Sequence, residues 1–94
     1  MYATIRSYSA GSAFVDELAR REDDVRNVIT TIDGFRAYYL VRTSDGEAVT
    51  ISIFDDQSGA EESTRAAAAW VGENMPDLSV SPPQVTTGEV ELSF

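Results

Sequence analysis

One tryptophan and two small polar residues stand at helical spacing in the second half of the chain. Ser63 precedes Trp70 by about two turns and Asn74 follows it by about one, so a helix would bring them to one flank. An indole ring can stack on an aromatic ligand, and a carboxamide can orient a carbonyl group. With Ala67 beside them, these residues predict a ligand pocket. The alternative is that Trp70 fills the rim of the core, as a lone helical tryptophan commonly does.

Two further side chains could donate hydrogen bonds to such a ligand. Arg21 falls inside the apolar stripe of the first helix, where its guanidinium could bind an anionic or enolate oxygen. It could equally lie along the edge of the core with its charge in water. Tyr38 is expected to face the helices and to join the pocket, where its hydroxyl could donate a proton. Its alternative role is that of an amphipathic core residue.

The chain contains neither cysteine nor histidine. Disulfides, thiolate nucleophiles, zinc–thiolate sites and iron–sulfur clusters are therefore excluded. The missing histidine removes the commonest metal ligand, the usual haem ligand and the usual general base at neutral pH. Acidic clusters occur, but they lack the spacing of a calcium loop, and solvated helix faces explain them better. We expect no metal and no cofactor. These clusters cover residues 22–24, 55–56 and 61–62.

The net charge of −9 restricts the choice of partners. A field of this sign repels phosphate backbones and anionic membrane surfaces, so neither nucleic acid nor membrane is an expected partner. The first residues show no basic segment followed by an apolar one, as a secretory signal would. We expect a cytoplasmic protein whose 94 residues form one domain.

The elements that must position these side chains follow the order β-α-β-β-α-β. Alternating residues predict strands over 2–8, 35–43, 48–54 and 84–94, and helical periodicity predicts helices over 13–31 and from about 58 to 75. The order predicts an α+β domain of the ferredoxin-like type, an antiparallel sheet with two helices on one face. Asp45-Gly46 predicts a two-residue hairpin turn.

That turn sets the register of the hairpin and leaves an aromatic sheet face uncovered. With a two-residue turn, Leu40 shares a face with Ile51, and Tyr38 shares it with Ile53. The opposite face then carries five aromatic residues, and a patch of this kind usually marks an interaction site. The simplest cover is a second copy, which predicts a homodimer, although scattered surface aromatics can also lack a role. The five are Tyr2, Tyr8, Phe35, Tyr39 and Phe54.

Three stretches of the chain resemble the antibiotic-biosynthesis-monooxygenase (ABM) superfamily, namely residues 1–6, 33–41 and 49–55 running into an Ala- and Glu-rich helix. The resemblance implies a ferredoxin-like subunit that pairs into a dimeric α/β barrel. Family enzymes of the actinorhodin type oxidise polycyclic aromatic substrates without metal or flavin, in a pocket between sheet and helices. They carry a tryptophan at the position of Trp70 and an asparagine at that of Ala66. The haem-degrading branch uses a first-strand asparagine and a histidine ligand, and this chain has neither.

The resemblance implies a cofactor-independent monooxygenase that acts on a small aromatic or polyketide-like molecule. The substrate would supply its own electrons as an activated phenol or enol, with Trp70 as the stacking wall. Arg21 or Tyr38 would stabilise the developing oxyanion, and Asn74 is a further candidate. Two alternatives stay open. One is a module that binds a ligand or plays a structural role without catalysis, and the other is a subunit that joins another protein through its acidic helical face.

Overall fold

A computed structural model describes residues 1–94 as four strands and three α-helices. All strand pairs are antiparallel, in the spatial order β2-β3-β1-β4, and the helices cover one face of the sheet. The predicted α+β, ferredoxin-like architecture is confirmed. None of the three helices has the length and apolar composition that a membrane span requires. In chain order the elements are β1 (Tyr2–Tyr8), α1 (Ser12–Arg20), α2 (Glu22–Thr30), β2 (Phe35–Arg42), β3 (Ala48–Phe54), α3 (Gln57–Asn74), a 3₁₀ turn (Pro76–Leu78) and β4 (Gln84–Glu89).

Two elements differ from their predicted bounds by more than one residue. The first helix is interrupted at Arg21, whose ψ of 39° departs from helical geometry and separates α1 from α2. The last strand ends at Glu89 rather than at residue 94, with one further bond from the Val90 N–H to the Met1 carbonyl. Pairing stops there because β4 lies against β1, which begins at Tyr2 and offers no further partner.

The β2–β3 hairpin closes with a longer loop than Asp45-Gly46 predicts. The Thr43 N–H donates to the Glu47 carbonyl at 2.9 Å, and the Gly46 N–H donates to the Thr43 carbonyl at 2.9 Å. Residues 44–46 therefore form a three-residue loop, a hairpin type that uses a left-handed residue at its end. Gly46 supplies that residue with a φ of 83°.

The extra loop residue inverts the predicted faces of β3 and β1. Leu40 pairs with Thr50 and Tyr38 pairs with Ser52, so the predicted pairing with the isoleucines of β3 is wrong. Tyr38 nevertheless faces the helices as predicted, because the register error moves the residues of β3 and not those of β2. The helix-covered face of β3 therefore carries small polar side chains instead of isoleucines.

Four of the five aromatic residues assigned to the uncovered face lie on the helix-covered one. Tyr8 and Phe54 are buried within the subunit, and Tyr2 and Phe35 pack beside Phe54. They are unavailable to a partner that covers the open face, which corrects the predicted interface. Only Tyr39 lies on the open face, where it is 59% exposed. The predicted interface was wrong because the register of the β2–β3 hairpin is shifted by one residue.

The open face is aliphatic and carries no charged side chain. Residues paired across the sheet share a face, so the pairs around Ile5, Ile51 and Tyr39 define the centre of this surface. Of the 23 Asp, Glu and Arg side chains in the chain, none belongs to it. We call this set the open sheet face; it comprises Ala3, Ile5, Ser7, Ala37, Tyr39, Val41, Val49, Ile51, Ile53, Gln84, Thr86 and Gly88.

Two apolar clusters hold the helices to the covered face. One centres on Tyr8, Phe14 and Leu18, and it includes the Tyr8–Phe14 ring contact at 4.8 Å. The other centres on Phe54, with Ile29 of α2 and Ala60 of α3. Buried polar side chains of β1, β3 and α3 lie in the same layer: Thr4, Arg6, Thr50, Ser52 and Ser63.

Candidate functional site

A buried arginine occupies the middle of the layer between sheet and helices. Arg6 extends from β1 and is 1% exposed. Its guanidinium donates four hydrogen bonds, all of them to neutral hydroxyl groups. Two acceptors lie on β3 and two on α3, so the side chain ties the sheet to the helix above it. The bonds run from Nε to Thr50 Oγ1 (3.1 Å), from Nη2 to Ser52 Oγ (2.7 Å), and from Nη1 to Ser63 Oγ (3.1 Å) and Thr64 Oγ1 (3.2 Å).

Arg6 is the only basic residue without a carboxylate partner. All seven basic residues are arginines, and the other six each form a salt bridge with an aspartate or glutamate. Burial lowers the pKa of Arg6 from its usual value, but an arginine stays protonated in proteins. The interior of this acidic protein therefore contains one positive charge that no protein anion balances.

An apolar cavity of about 30 Å³ lies beside Arg6. A space of this size admits a water molecule or a single ligand oxygen, not a ring. Arg6 is the only charged residue in its wall, which is otherwise almost entirely apolar. The wall consists of Arg6, Tyr8, Phe14, Leu18, Val25, Val28, Ile29, Tyr38, Thr50, Ala67, Trp70 and Val71.

A larger groove lies beside the cavity, between the first two helices and β2. Its volume is about 470 Å³, within the range of ordinary small-molecule sites. Cavity and groove share four lining residues, so a side-chain movement at this common wall would join them. The shared residues are Leu18, Val25, Ile29 and Tyr38.

The structure brings together three of the four residues predicted to line a pocket. Tyr38, Ala67 and Trp70 all line the cavity. Ser63 instead lies at the end of the Arg6 side chain and donates to the Ala60 carbonyl at 2.6 Å. Asn74 is not part of the wall, because its amide donates to the Trp70 carbonyl at 2.9 Å along its own helix. Whether the three lining residues bind a ligand stays a prediction.

Arg21 is not the cation of this site. Its Nε donates to Glu17 Oε2 at 2.8 Å, and the side chain does not reach the cavity. Hydrogen bonds from Arg20 first and Arg21 second lower the pKa of Glu17 to about 2. The functional candidate that sequence reasoning missed is Arg6. Its only signal in the sequence is that Arg6 alternates in phase with Tyr8 on the first strand, on a face that the predicted register assigned to the open side.

Two tyrosine hydroxyls lie close enough to Arg6 to affect its pKa. Burial raises the pKa of Tyr38 to about 12, and the positive charge of Arg6 opposes this rise. Burial also raises the pKa of Tyr8. Both tyrosines are therefore neutral at physiological pH, and neither supplies the missing negative charge.

The raised pKa of Tyr38 predicts a loss of stability in alkaline solution. A folded-state pKa above the unfolded value of about 10 favours folding below that value, and this contribution is lost as pH rises toward about 12. The loss attributable to Tyr38 approaches ~3 kcal/mol once pH exceeds the folded pKa. Urea unfolding between pH 9 and 12 would measure it. Tyr38→Phe should flatten the dependence, and equal slopes in both proteins would contradict the prediction.

Comparison with solved structures places this geometry in a known fold. No protein-family model matches the chain, and no curated protein matches it in sequence. The structure is similar to the haem degrader MhuD of Mycobacterium tuberculosis with two haems bound, at a TM-score of 0.74 and 15% identity over 100% of this chain and 99% of that one.

Two oxygenases from Streptomyces are also similar. A monooxygenase of Streptomyces coelicolor in complex with nanaomycin D gives a TM-score of 0.66 and 18% identity over 99% of this chain and 88% of that one. SnoaB, a cofactor-independent oxygenase of Streptomyces nogalater, gives a TM-score of 0.61 and 14% identity over 98% of this chain and 92% of that one. The resemblance to ABM proteins is thus confirmed for the fold. The chain thus has the ferredoxin-like fold of these neighbours, with a cavity between its sheet and helices.

Haem does not fit the residues around this cavity. Haem iron takes histidine, cysteine, methionine or tyrosine ligands, and the chain lacks the first two. Of the other two types, the wall offers only Tyr8 and Tyr38, whose raised pKa values disfavour the phenolate that would bind iron. The structure also forms no group of acidic residues that could hold a metal ion.

Proposed function

We propose that this protein is a cofactor-independent monooxygenase that acts on a small aromatic or polyketide-like molecule. The observation that supports the proposal is the apolar cavity between sheet and helices, with Trp70 and Tyr38 in its wall and a ligand-sized groove beside it. The groove would hold an aromatic ring, and the apolar cavity walls would keep water from its reacting edge. Solved neighbours of the same fold include one cofactor-independent oxygenase, SnoaB.

The chemistry balances if the substrate is the reductant. An activated ring methylene that reacts with O₂ gives a carbonyl group and water, so one oxygen atom enters the product and the other leaves. The carbon supplies all four electrons that O₂ accepts. The cavity wall contains no carboxylate or histidine that could remove the first proton, and the one carboxylate of the adjoining groove, Glu22, is paired with Arg26. The substrate must therefore be acidic enough to ionise before or during binding.

Oxygen consumption with an anthrone tests this function. Wild-type protein treated with a chelator, with no flavin added, should consume O₂ and form the quinone faster than buffer alone. Ala67→Leu fills the cavity and should abolish the excess rate. Ala69→Leu places the same side chain on the exposed part of the same helix and should retain it. Equal rates for the two variants would contradict a reaction in this cavity.

A second candidate function is binding without catalysis. The absent proton acceptor and the small volume next to Arg6 favour it, because both limit turnover without preventing recognition. Trp70 is the only tryptophan, so its fluorescence reports on this site alone. Quenching by aromatic ligands without oxygen consumption would identify a binding protein. No quenching by any of a broad set of phenols and quinones would contradict both functions.

We further propose that two copies pair through the open sheet face. The face is apolar, and its lack of charge lets two subunits of net charge −9 meet without direct repulsion across it. Sheet-on-sheet stacking would cover Ile5, Ile51 and Tyr39. The pairing that the aromatic residues predicted is thus retained as a proposal, with a different set of residues.

A further inference from the structure

We propose that the ligand binds as an aryl oxyanion, a phenolate or enolate, whose single charged oxygen pairs with the guanidinium of Arg6. This inference rests on the proposed function and specifies its substrate class. It depends on three features of the site: the unbalanced charge, the number of free donors and the shape of the space beside them.

The charge of Arg6 is costly to keep where it is. A buried cation normally pairs with a carboxylate, and removing it from water without one is strongly unfavourable. The chain has 16 acidic residues, yet none is within salt-bridge distance of Arg6, whereas six exposed or half-exposed arginines are paired. If the role of Arg6 were only to link hydroxyl groups, a neutral amide could serve. An anionic ligand would supply the missing charge.

The donors of Arg6 favour a single-oxygen anion. A guanidinium has five N–H groups, and the four bonds to hydroxyls leave one on Nη2. Carboxylate and phosphate usually take two parallel N–H groups of an arginine. Beyond those four acceptors, only the neutral hydroxyls of Tyr8 and Tyr38 act on the pKa of Arg6, and that of Tyr8 does so also as a hydrogen-bond partner. The one N–H that no hydroxyl of β3 or α3 accepts therefore matches one phenolate or enolate oxygen, in place of the Tyr8 hydroxyl.

The shape of the site matches the same class of ligand. The cavity beside Arg6 has room for one oxygen atom, and the groove beyond Tyr38 has room for rings. Apolar walls strengthen an ion pair because little water screens it. A ring seated in the groove, with Tyr38 displaced from the common wall, would direct its charged oxygen into the cavity. Stabilising that charge would also lower the pKa of the bound phenol or enol and supply the ionised substrate that oxygenation needs.

A nitrophenol and its methyl ether test the inference directly. We would titrate wild-type protein with 4-nitrophenol above and below the phenol's own pKa, and with 4-nitroanisole as the neutral analogue, following Trp70 fluorescence and the phenolate absorbance. The phenolate should bind about 10- to 100-fold more tightly than the ether, and the bound phenol should ionise at lower pH than the free one. Arg6→Met should remove this preference, Arg6→Lys should retain part of it, and Arg36→Met, at the surface, should leave it unchanged.

The outcomes separate this inference from the function on which it rests. Equal binding of phenolate and ether would overturn the role of Arg6 and leave the proposed aromatic binding site in place. A folded Arg6→Met protein that keeps the preference would overturn it as well. Binding of neither compound would overturn both proposals. The comparison of the two ligands in wild-type protein decides the matter even if Arg6→Met does not fold.

Discussion

Ile51→Asp should convert the proposed homodimer into a folded monomer. Ile51 lies at the centre of the open sheet face, paired with Ile5 on one side and Tyr39 on the other. A two-fold interface receives the substitution twice, and each buried, unpaired carboxylate costs several kcal/mol. The dissociation constant should rise at least ~100-fold. Sedimentation velocity across micromolar concentrations would show a shift from about twice the chain mass of 10.2 kDa to that mass.

A matched charge on the opposite face of the sheet serves as the control. Val85 is 42% exposed on β4 and pairs with Arg6, so its side chain lies on the other side from the open sheet face. Val85→Asp adds the same charge to an exposed strand residue and should leave the dimer intact. A wild-type protein that sediments as a monomer would contradict the proposed pairing. Dissociation by both variants would show that net charge, not this face, sets the association.

The architecture could be predicted because it depends on local periodicity. Alternation defines each strand, the 3.6-residue period defines each helix, and their order defines the ferredoxin-like topology. Which face of β3 the helices cover depends instead on a single loop residue. Asp45-Gly46 is compatible with both a two-residue and a three-residue loop, because either can place Gly46 at positive φ. Local sequence does not distinguish them, and the choice inverts a whole strand.

The site was harder to predict than the fold because its central residue, Arg6, is a charged side chain that lies buried. An arginine in a strand is normally assigned to solvent, and the four hydroxyls that hold Arg6 are 44 to 58 residues away in sequence. By contrast, the ion pair of Arg21 could have been predicted, since Glu17 lies four residues before it, at ion-pair spacing on a helix. Tyr38, Ala67 and Trp70 could be predicted to line one cavity because the strand and the helix that carry them were predicted correctly.

Phe54→Ala should cause the largest loss of stability among single substitutions outside the site. Phe54 is completely buried at the end of β3, between Ile29 of α2 and Ala60 of α3. Gly59 makes this packing possible, because a Cβ there would lie 3.0 Å from the Phe54 ring. Removing a buried phenylalanine ring costs ~3–5 kcal/mol, a large part of the ~5–15 kcal/mol that stabilises a typical domain.

Urea unfolding at a fixed protein concentration, followed by Trp70 fluorescence, would measure the loss caused by Phe54→Ala. Phe94→Ala removes the same ring from a fully exposed position and should change stability by less than ~0.5 kcal/mol. Phe54 and Arg6 share no contact in the cavity wall, so the folded fraction of Phe54→Ala should keep the preference for phenolate over ether. A loss of that preference in folded protein would mean that the packing of α2 and α3 on Phe54, and not Arg6 with its four hydroxyls, sets the geometry of the site. A loss of stability below ~1 kcal/mol would show that the helices do not depend on this cluster.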